Sequence, residues 1–308
     1  MKYGRYIIGG LIIVTIAAIF HGRRIDEGFK DSKIELKGVI LQPLGGLGNQ
    51  LYVYAAGIVM KRGLNVPVYL LPPMNNVHTT RDYRKYMTEC EPIEPSDRRV
   101  KSAIIVQNLQ GESITSPWTP SMVPTEYPRY VAYSYGNYFQ NYRSISESIP
   151  IIRDTFIKEL QRVYKTTNIN SSVSAFIHVR RGDYLIPGNE QYALKFPYYQ
   201  KGLDLLNKTS TVQRIYIISD DIPWCKNQTW KTMKSITYFD DPDELKTLYI
   251  MSQCKQGAII SNSTFSTWGA ALGAAGEKTP VVGYPSTWIY DLQNDFPSNW
   301  IKIQSNGK

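Results

Sequence analysis

The chain has 308 residues, 43% of them hydrophobic, and a formal net charge of +9. That is enough apolar material for one large domain or two of ordinary size. A basic balance suits anionic ligands, but no dense Lys/Arg run and no nucleic-acid motif accompanies it, which argues against a nucleic-acid partner. Cys90, Cys225 and Cys254 form no CxxC pair, and His21, His78 and His178 are scattered. A zinc module is therefore excluded.

In chain order, Lys2 and Arg5 precede the unbroken apolar stretch YIIGGLIIVTIAAIF at residues 6–20, and Arg23 and Arg24 follow it. The stretch is short against the roughly 20 residues of a comfortable span. It lacks a small-residue cleavage site, and its basic flanks do not suit a core helix. It is expected to be a transmembrane signal anchor over 6–20, behind a short tail at 1–5 and ahead of a polar stem at 21–37. Four Asn-x-Ser/Thr sequons, at Asn170, Asn207, Asn227 and Asn262, fit a lumenal body. Asn262 falls in a candidate binding loop and is expected to stay unmodified, which leaves Asn170, Asn207 and Asn227 as glycosylation sites.

KGVILQP then predicts a strand. In LGGLGNQLYVYAAGIVMKRG, Leu47, Leu51, Tyr54, Ala55 and Ile58 recur at helical spacing, so a helix begins near Gly48 and ends at Gly63. NVPVYLL predicts a second strand. From Pro72 to about Ser148, prolines break the pattern into loops with short elements, an adaptable wall for a site. IIRDTFIKELQRVYK is helical, with Ile152, Phe156, Leu160 and Val163 on one face. Beyond it, the apolar strands SVSAFIHV, RIYIIS, SITYF, QGAIIS and TPVVGY alternate with helices. That alternation predicts an α/β fold of parallel sheet with helices on both faces. Two domains, 38–165 and 166–308, are expected to enclose a cleft.

Ligands of open parallel sheets bind beyond the carboxyl ends of the strands. There the sequence places Gly45-Gly46-Leu47-Gly48-Asn49-Gln50, then His178-Val179-Arg180-Arg181-Gly182-Asp183, then Ser219-Asp220-Asp221, then Asp240-Asp241, then Ser261-Asn262-Ser263-Thr264-Phe265. The glycine turn before a helix suits an anion, as does the serine-rich helix start, although tight-turn geometry and N-capping explain such residues equally well. Asp241 and Asp243 read as the cap of the following helix or, alternatively, as metal ligands. Arg180 and Arg181 point to opposite faces of the strand end. One is expected to pair with Asp183 or another carboxylate. The other then faces the cleft and forks a phosphate.

GGLGNQLYVYAAG, HVRRGDY, YIISDDIPWC and SNSTFSTWGAALG, in that order, resemble the motifs of the α-1,2-fucosyltransferase family over roughly residues 38 to 285. HVRRGDY is shared with other GDP-fucose enzymes; the glycine turn and the SNSTF segment narrow the likeness. The resemblance implies a GT-B-like fold of two Rossmann-like domains, inversion at the anomeric carbon and no metal or other cofactor. It implies GDP-fucose and a glycan acceptor as partners, and a type II Golgi membrane protein with a lumenal catalytic domain. Carried over by position, it makes Arg180 the diphosphate clamp and puts His178 beside the nucleoside. It assigns Gly48, Asn49, Asp220, Ser263, Thr264 and Phe265 to the donor. Asp183 is the nearest candidate base, although pairing with an arginine is its expected duty. Members often carry arginine where this chain has Gly46. A Cys225–Cys254 disulfide is a further expectation for a lumenal protein. The rival readings are another GDP-fucose enzyme, such as a protein O-fucosyltransferase, and a non-catalytic glycan-binding protein on the same fold.

Overall fold

The computed structural model describes residues 36–74, 81–106, 129–133, 138–274, 280–288 and 296–305. The expected anchor at 6–20 and nearly all of the stem lie outside them. Among the described residues no helix is long and apolar enough to cross a membrane.

Two parallel sheets carry the α/β fold. The first has five strands: β1 (Gly38–Leu41), β2 (Val68–Leu70), β3 (Glu91–Pro92), β4 (Ile104–Val106) and β5 (Tyr130–Tyr133), in the order β3-β2-β1-β5-β4. The second has six: β6 (Ser174–Val179), β7 (Arg214–Ser219), β8 (Ser235–Phe239), β9 (Gly257–Ile259), β10 (Val281–Pro285) and β11 (Ile301–Ile303), in the order β11-β10-β9-β6-β7-β8. Strands β1 and β6 are buried along their whole length, because helices or loops cover both faces, and so they read as continuous apolar runs. Strand β5 lies beside β1, inside the stretch that the prolines mark as loop. At four residues, it is too short to show a period.

Helix α1 (Leu47–Leu64) follows β1 and ends at Asn65, which takes the left-handed conformation (φ 53°) two residues beyond the predicted stop at Gly63. The segments Ile149–Ile152, Arg153–Ile157 (a π turn) and Lys158–Val163 run on as α2. Ile152, Phe156 and Leu160 are buried as their spacing predicts, but Val163, at the frayed end, is half exposed. The second half adds α3 (Phe196–Asn207), α4 (Ile222–Lys226), α5 (Glu244–Gln253) and α6 (Thr264–Ala274).

The two halves share a core rather than merely touching. Leu248, Trp268 and Leu272, from α5 and α6, pack with Leu51, Tyr52 and Phe156 of the first half. The rings of Tyr52 and Trp268 meet edge to face at 5.3 Å. Half-buried Arg153 donates Nε to the Leu272 carbonyl (2.8 Å) and Nη2 to that of Ala271 (3.0 Å), capping the end of α6 with a cation.

The expected Cys225–Cys254 disulfide is absent, and all three cysteines are free and buried. Cys225 belongs to the cluster containing Ile177 and Ile217, whereas Cys254 packs with Phe176 and Tyr216. Successive strand residues face opposite ways, so the thiols lie on opposite sides of the second sheet.

Candidate active site

The carboxyl ends of the strands open into a cleft of about 910 Å³. Gly45 to Asn49, Tyr138 and Gln140 line it from the first half. His178, Arg180, Asp183, Asp220, Asp240, Ser263, Thr264 and Phe265 line it from the second. The expected donor residues are thus brought together by strands and helices far apart in sequence.

The glycine turn works through two of its glycines. Gly45 has φ +78°, which favours glycine. Buried Gln50 holds the turn by donating Nε2 to the Gly45 carbonyl (3.0 Å) and to that of Arg81 (3.1 Å). A Cβ on Gly48 would stand 2.5 Å from the Phe265 backbone nitrogen and 2.7 Å from Thr264 Oγ1. The absence of a side chain there lets the N-termini of α1 and α6 converge. No side chain caps α1, and neither helix has an acidic residue in its first turn. Two positive helix ends therefore meet at one point, a favourable place for an anion. Asn49 bridges them: its Oδ1 accepts from Thr264 Oγ1 (2.8 Å) and from Gln140 Nε2 (3.0 Å). A Cβ on Gly46 would meet nothing within 4 Å, so the position has room for a side chain.

The arginine pair divides as alternation requires, with one adjustment. Arg180 itself pairs with Asp183, and it is also the arginine that faces the cleft. Its Nε and Nη2 lie 2.9 and 2.7 Å from Asp183 Oδ1, and its Nη1 lies 2.9 Å from Asp220 Oδ2. Nε–H is hydrogen-bonded to Asp183, both terminal nitrogens are ion-paired, and the side chain stays 38% exposed at the cleft, so the guanidinium remains open to a ligand. Burial works against its charge, but Asp220 and Asp183 outweigh burial and raise its pKa above the ordinary value. Arg181 turns away. Its Nε donates to Asp221 Oδ2 (2.9 Å), and its guanidinium lies 4.2 Å from the centre of the Trp224 ring. Asp220 serves both arginines, since its Oδ1 accepts the Arg181 backbone N–H (2.8 Å). Its place is therefore behind Arg180, as a support for the cation.

His178 is buried at the cleft floor, with Nδ1 2.7 Å from Ser261 Oγ and its ring 5.9 Å from that of Phe265. Burial, reinforced by the Arg180 charge, depresses its pKa to about 3, so the imidazole is neutral at physiological pH. Buried Asn262 donates Nδ2 to the Tyr192 carbonyl (3.0 Å), and Tyr184 OH donates to the Asn262 carbonyl. These bonds fasten the loop after β6 to the loop after β9. Of the two aspartates weighed as metal ligands, Asp241 lies 2.6 Å from Lys246 Nζ and accepts the Asp243 N–H, and Asp243 caps α5 through Leu245 and Lys246. Both are employed as the capping reading requires. Reasoning from sequence missed Tyr138, Gln140, Asn189 and Tyr192, for their stretches carry no periodic or motif signal.

The profile of glycosyl transferase family 11 matches residues 27–304. The chain belongs to glycosyl transferase family 11. Among curated relatives of this family 11 protein, the O-antigen biosynthesis glycosyltransferase WbnK of Escherichia coli is 24% identical over 283 residues, covering 80% of this chain and 93% of WbnK. An α-1,2-colitosyltransferase of Escherichia coli is 24% identical over 304 residues, covering 86% and 99%. A crystal structure of POFUT1 in complex with GDP aligns with TM-score 0.51 at 12% identity, covering 82% of this chain and 99% of that one, and thus shares the fold.

These relatives correct one expectation. They are enzymes of a bacterium, a cell without a Golgi apparatus, and the Golgi placement of this family 11 chain is overturned. With it goes the reason to expect glycans on Asn170, Asn207 and Asn227. Two of the three have local work instead: Asn207 binds the Lys231 carbonyl (2.9 Å) and the Thr232 hydroxyl (2.6 Å), and Asn170 Oδ1 accepts from Ser172 (2.6 Å).

Proposed function

We propose that this family 11 glycosyltransferase moves L-fucose from GDP-β-L-fucose to the 2-hydroxyl of a β-galactoside glycan. The observation that carries the reading is the ion-paired, partly exposed Arg180 in the cleft lining beside two converging helix N-termini. The motif resemblance supplies the identity of the nucleotide sugar, and the relative named for an α-1,2 transfer supports the linkage.

Cleavage of the bond between the anomeric carbon and the β-phosphate oxygen leaves GDP with one more negative charge. Donors already aimed at that charge lower the barrier. Arg180 and the helix ends of α1 and α6 provide them, which favours a reaction without a metal. The acceptor oxygen attacks the opposite face of the anomeric carbon, forms the α-linkage and gives up its proton to solvent water. Asp183 and Asp220 are both committed to Arg180, so the reading assigns neither as the base. A dissociative transfer, in which the hydroxyl is deprotonated late, fits this arrangement.

The test is transfer from GDP-fucose to a panel of glycans, with and without EDTA. Transfer to a terminal β-galactoside that survives EDTA is expected. No transfer to any glycan, or complete loss in EDTA, overturns the corresponding part of the reading. The colitosyltransferase relative, at the same 24% identity as WbnK, favours a second donor, and GDP-colitose belongs in the same assay. A higher kcat/KM with it would reassign the sugar.

A further inference from the structure

We propose that Gln140 is a positioning residue for the donor diphosphate, acting through the amide of Asn49. The inference rests on the reading of the cleft as a nucleotide-sugar site.

Phe139 has φ +53°, a left-handed conformation that is strained for a residue with a Cβ. Its ring is buried and meets Tyr133 edge to face at 6.1 Å. With that ring anchored in the core, the side chains on either side of it, Tyr138 and Gln140, both line the cleft. Such strain persists where the surrounding structure over-determines it, and it clusters at ligand sites.

Gln140 Nε2 donates to Asn49 Oδ1 (3.0 Å), and Thr264 Oγ1 donates to the same oxygen (2.8 Å). An amide whose oxygen takes two donors has a fixed orientation. The nitrogen is left over. Asn49 Nδ2 stands beside Gly45, within 2.5 Å of where a Cβ would be, at the cleft wall and in the first turn of α1. It offers N–H donors at the point where the helix ends converge. Were the amide to rotate, an oxygen would face the diphosphate and repel it. Gln140 and Thr264 come from opposite halves of the molecule, so the orientation is set only when both halves are in place.

A double-mutant cycle with GDP as the probe separates positioning from packing, because a residue acting only through Asn49 has no effect once Asn49 is gone. GDP affinity is measured by calorimetry for the full chain and for Gln140→Leu, Asn49→Ala and the double variant. Gln140→Leu is expected to weaken GDP binding by about fivefold to tenfold, the scale of one neutral hydrogen bond. In the Asn49→Ala background, it should change affinity by less than about twofold. Asn49→Asp, which keeps both accepted bonds but has no donor, should bind GDP at least as poorly as Asn49→Ala. Losses that simply add, or unchanged affinity in Gln140→Leu, overturn the positioning role and leave the function intact. A wild-type chain that takes up no GDP overturns the functional reading and this inference with it.

Discussion

The two halves of the molecule meet the cleft with different chemistry. The second sheet is built on β6 and β7, six residues each, and it supplies the charge: Arg180 at the cleft with Asp183 and Asp220 around it, and Arg181 with Asp221 turned away from it. The first sheet has strands of two to four residues and supplies uncharged groups, namely the glycine turn, Asn49 and Gln140. A guanidinium aimed at an anion needs a rigid seat and counter-charges that hold its orientation, which long buried strands provide. Neutral donors need only close approach, which a glycine provides at Gly48. On this view the second half supplies the fixed charge of the cleft, and the first half adjusts the fit around it.

The largest expected effect breaks the charged half. Arg180→Ala should lower kcat/KM for fucose transfer by at least about a hundredfold, the scale of removing one preorganised donor to a developing anion. Arg181→Ala, which loses Asp221 and the Trp224 face but no cleft contact, should lower Tm by a few degrees and leave GDP affinity within about twofold. Equal losses of activity in the two variants would erase the division between them.

The next effect strikes the junction. Gly48→Ala puts a methyl group into the Phe265 backbone, so α1 and α6 must part. Overpacking of this kind costs about 1–3 kcal/mol, and separation of the helix ends should weaken GDP binding by about tenfold. Denaturant unfolding and calorimetry read the two quantities, and a Gly48→Ala protein with wild-type GDP affinity would show that convergence of the helices is not needed.

The smallest effect is a pH dependence. His178 is depressed from an ordinary 6.5 to about 3 by burial and by Arg180. Below pH 6.5 the unfolded chain takes up a proton that the folded chain refuses. The contribution is fully present above pH 6.5 and is lost as pH falls toward 3. Tm should drop across that window, and His178→Gln should flatten the drop. A parallel fall in both proteins would assign the acid sensitivity elsewhere.

Much of the second half was legible in sequence. Buried parallel strands show as apolar runs, and the residues that end them stand next in the chain, so HVRRGDY could be placed at a strand end and read as a candidate for binding an anion. The first half was far less legible. Its strands are too short for a period, and Gln140 reaches the site only because Phe139 is anchored and twisted in a loop. The Golgi expectation failed for another reason: an apolar N-terminal stretch and chance sequons say nothing of the kind of cell.

By itself, the sequence determined a parallel α/β fold with a glycine turn, an arginine pair and a serine-rich helix start at its strand ends, because hydrophobic period and glycine turns are local properties. Only the tertiary structure decided which arginine faces the cleft, which carboxylates hold it, and that Cys225 and Cys254 lie on opposite faces of a sheet. Those outcomes depend on the side of a strand to which each residue turns and on what the other half of the chain brings against it. Neither is written in the spacing of residues along one segment.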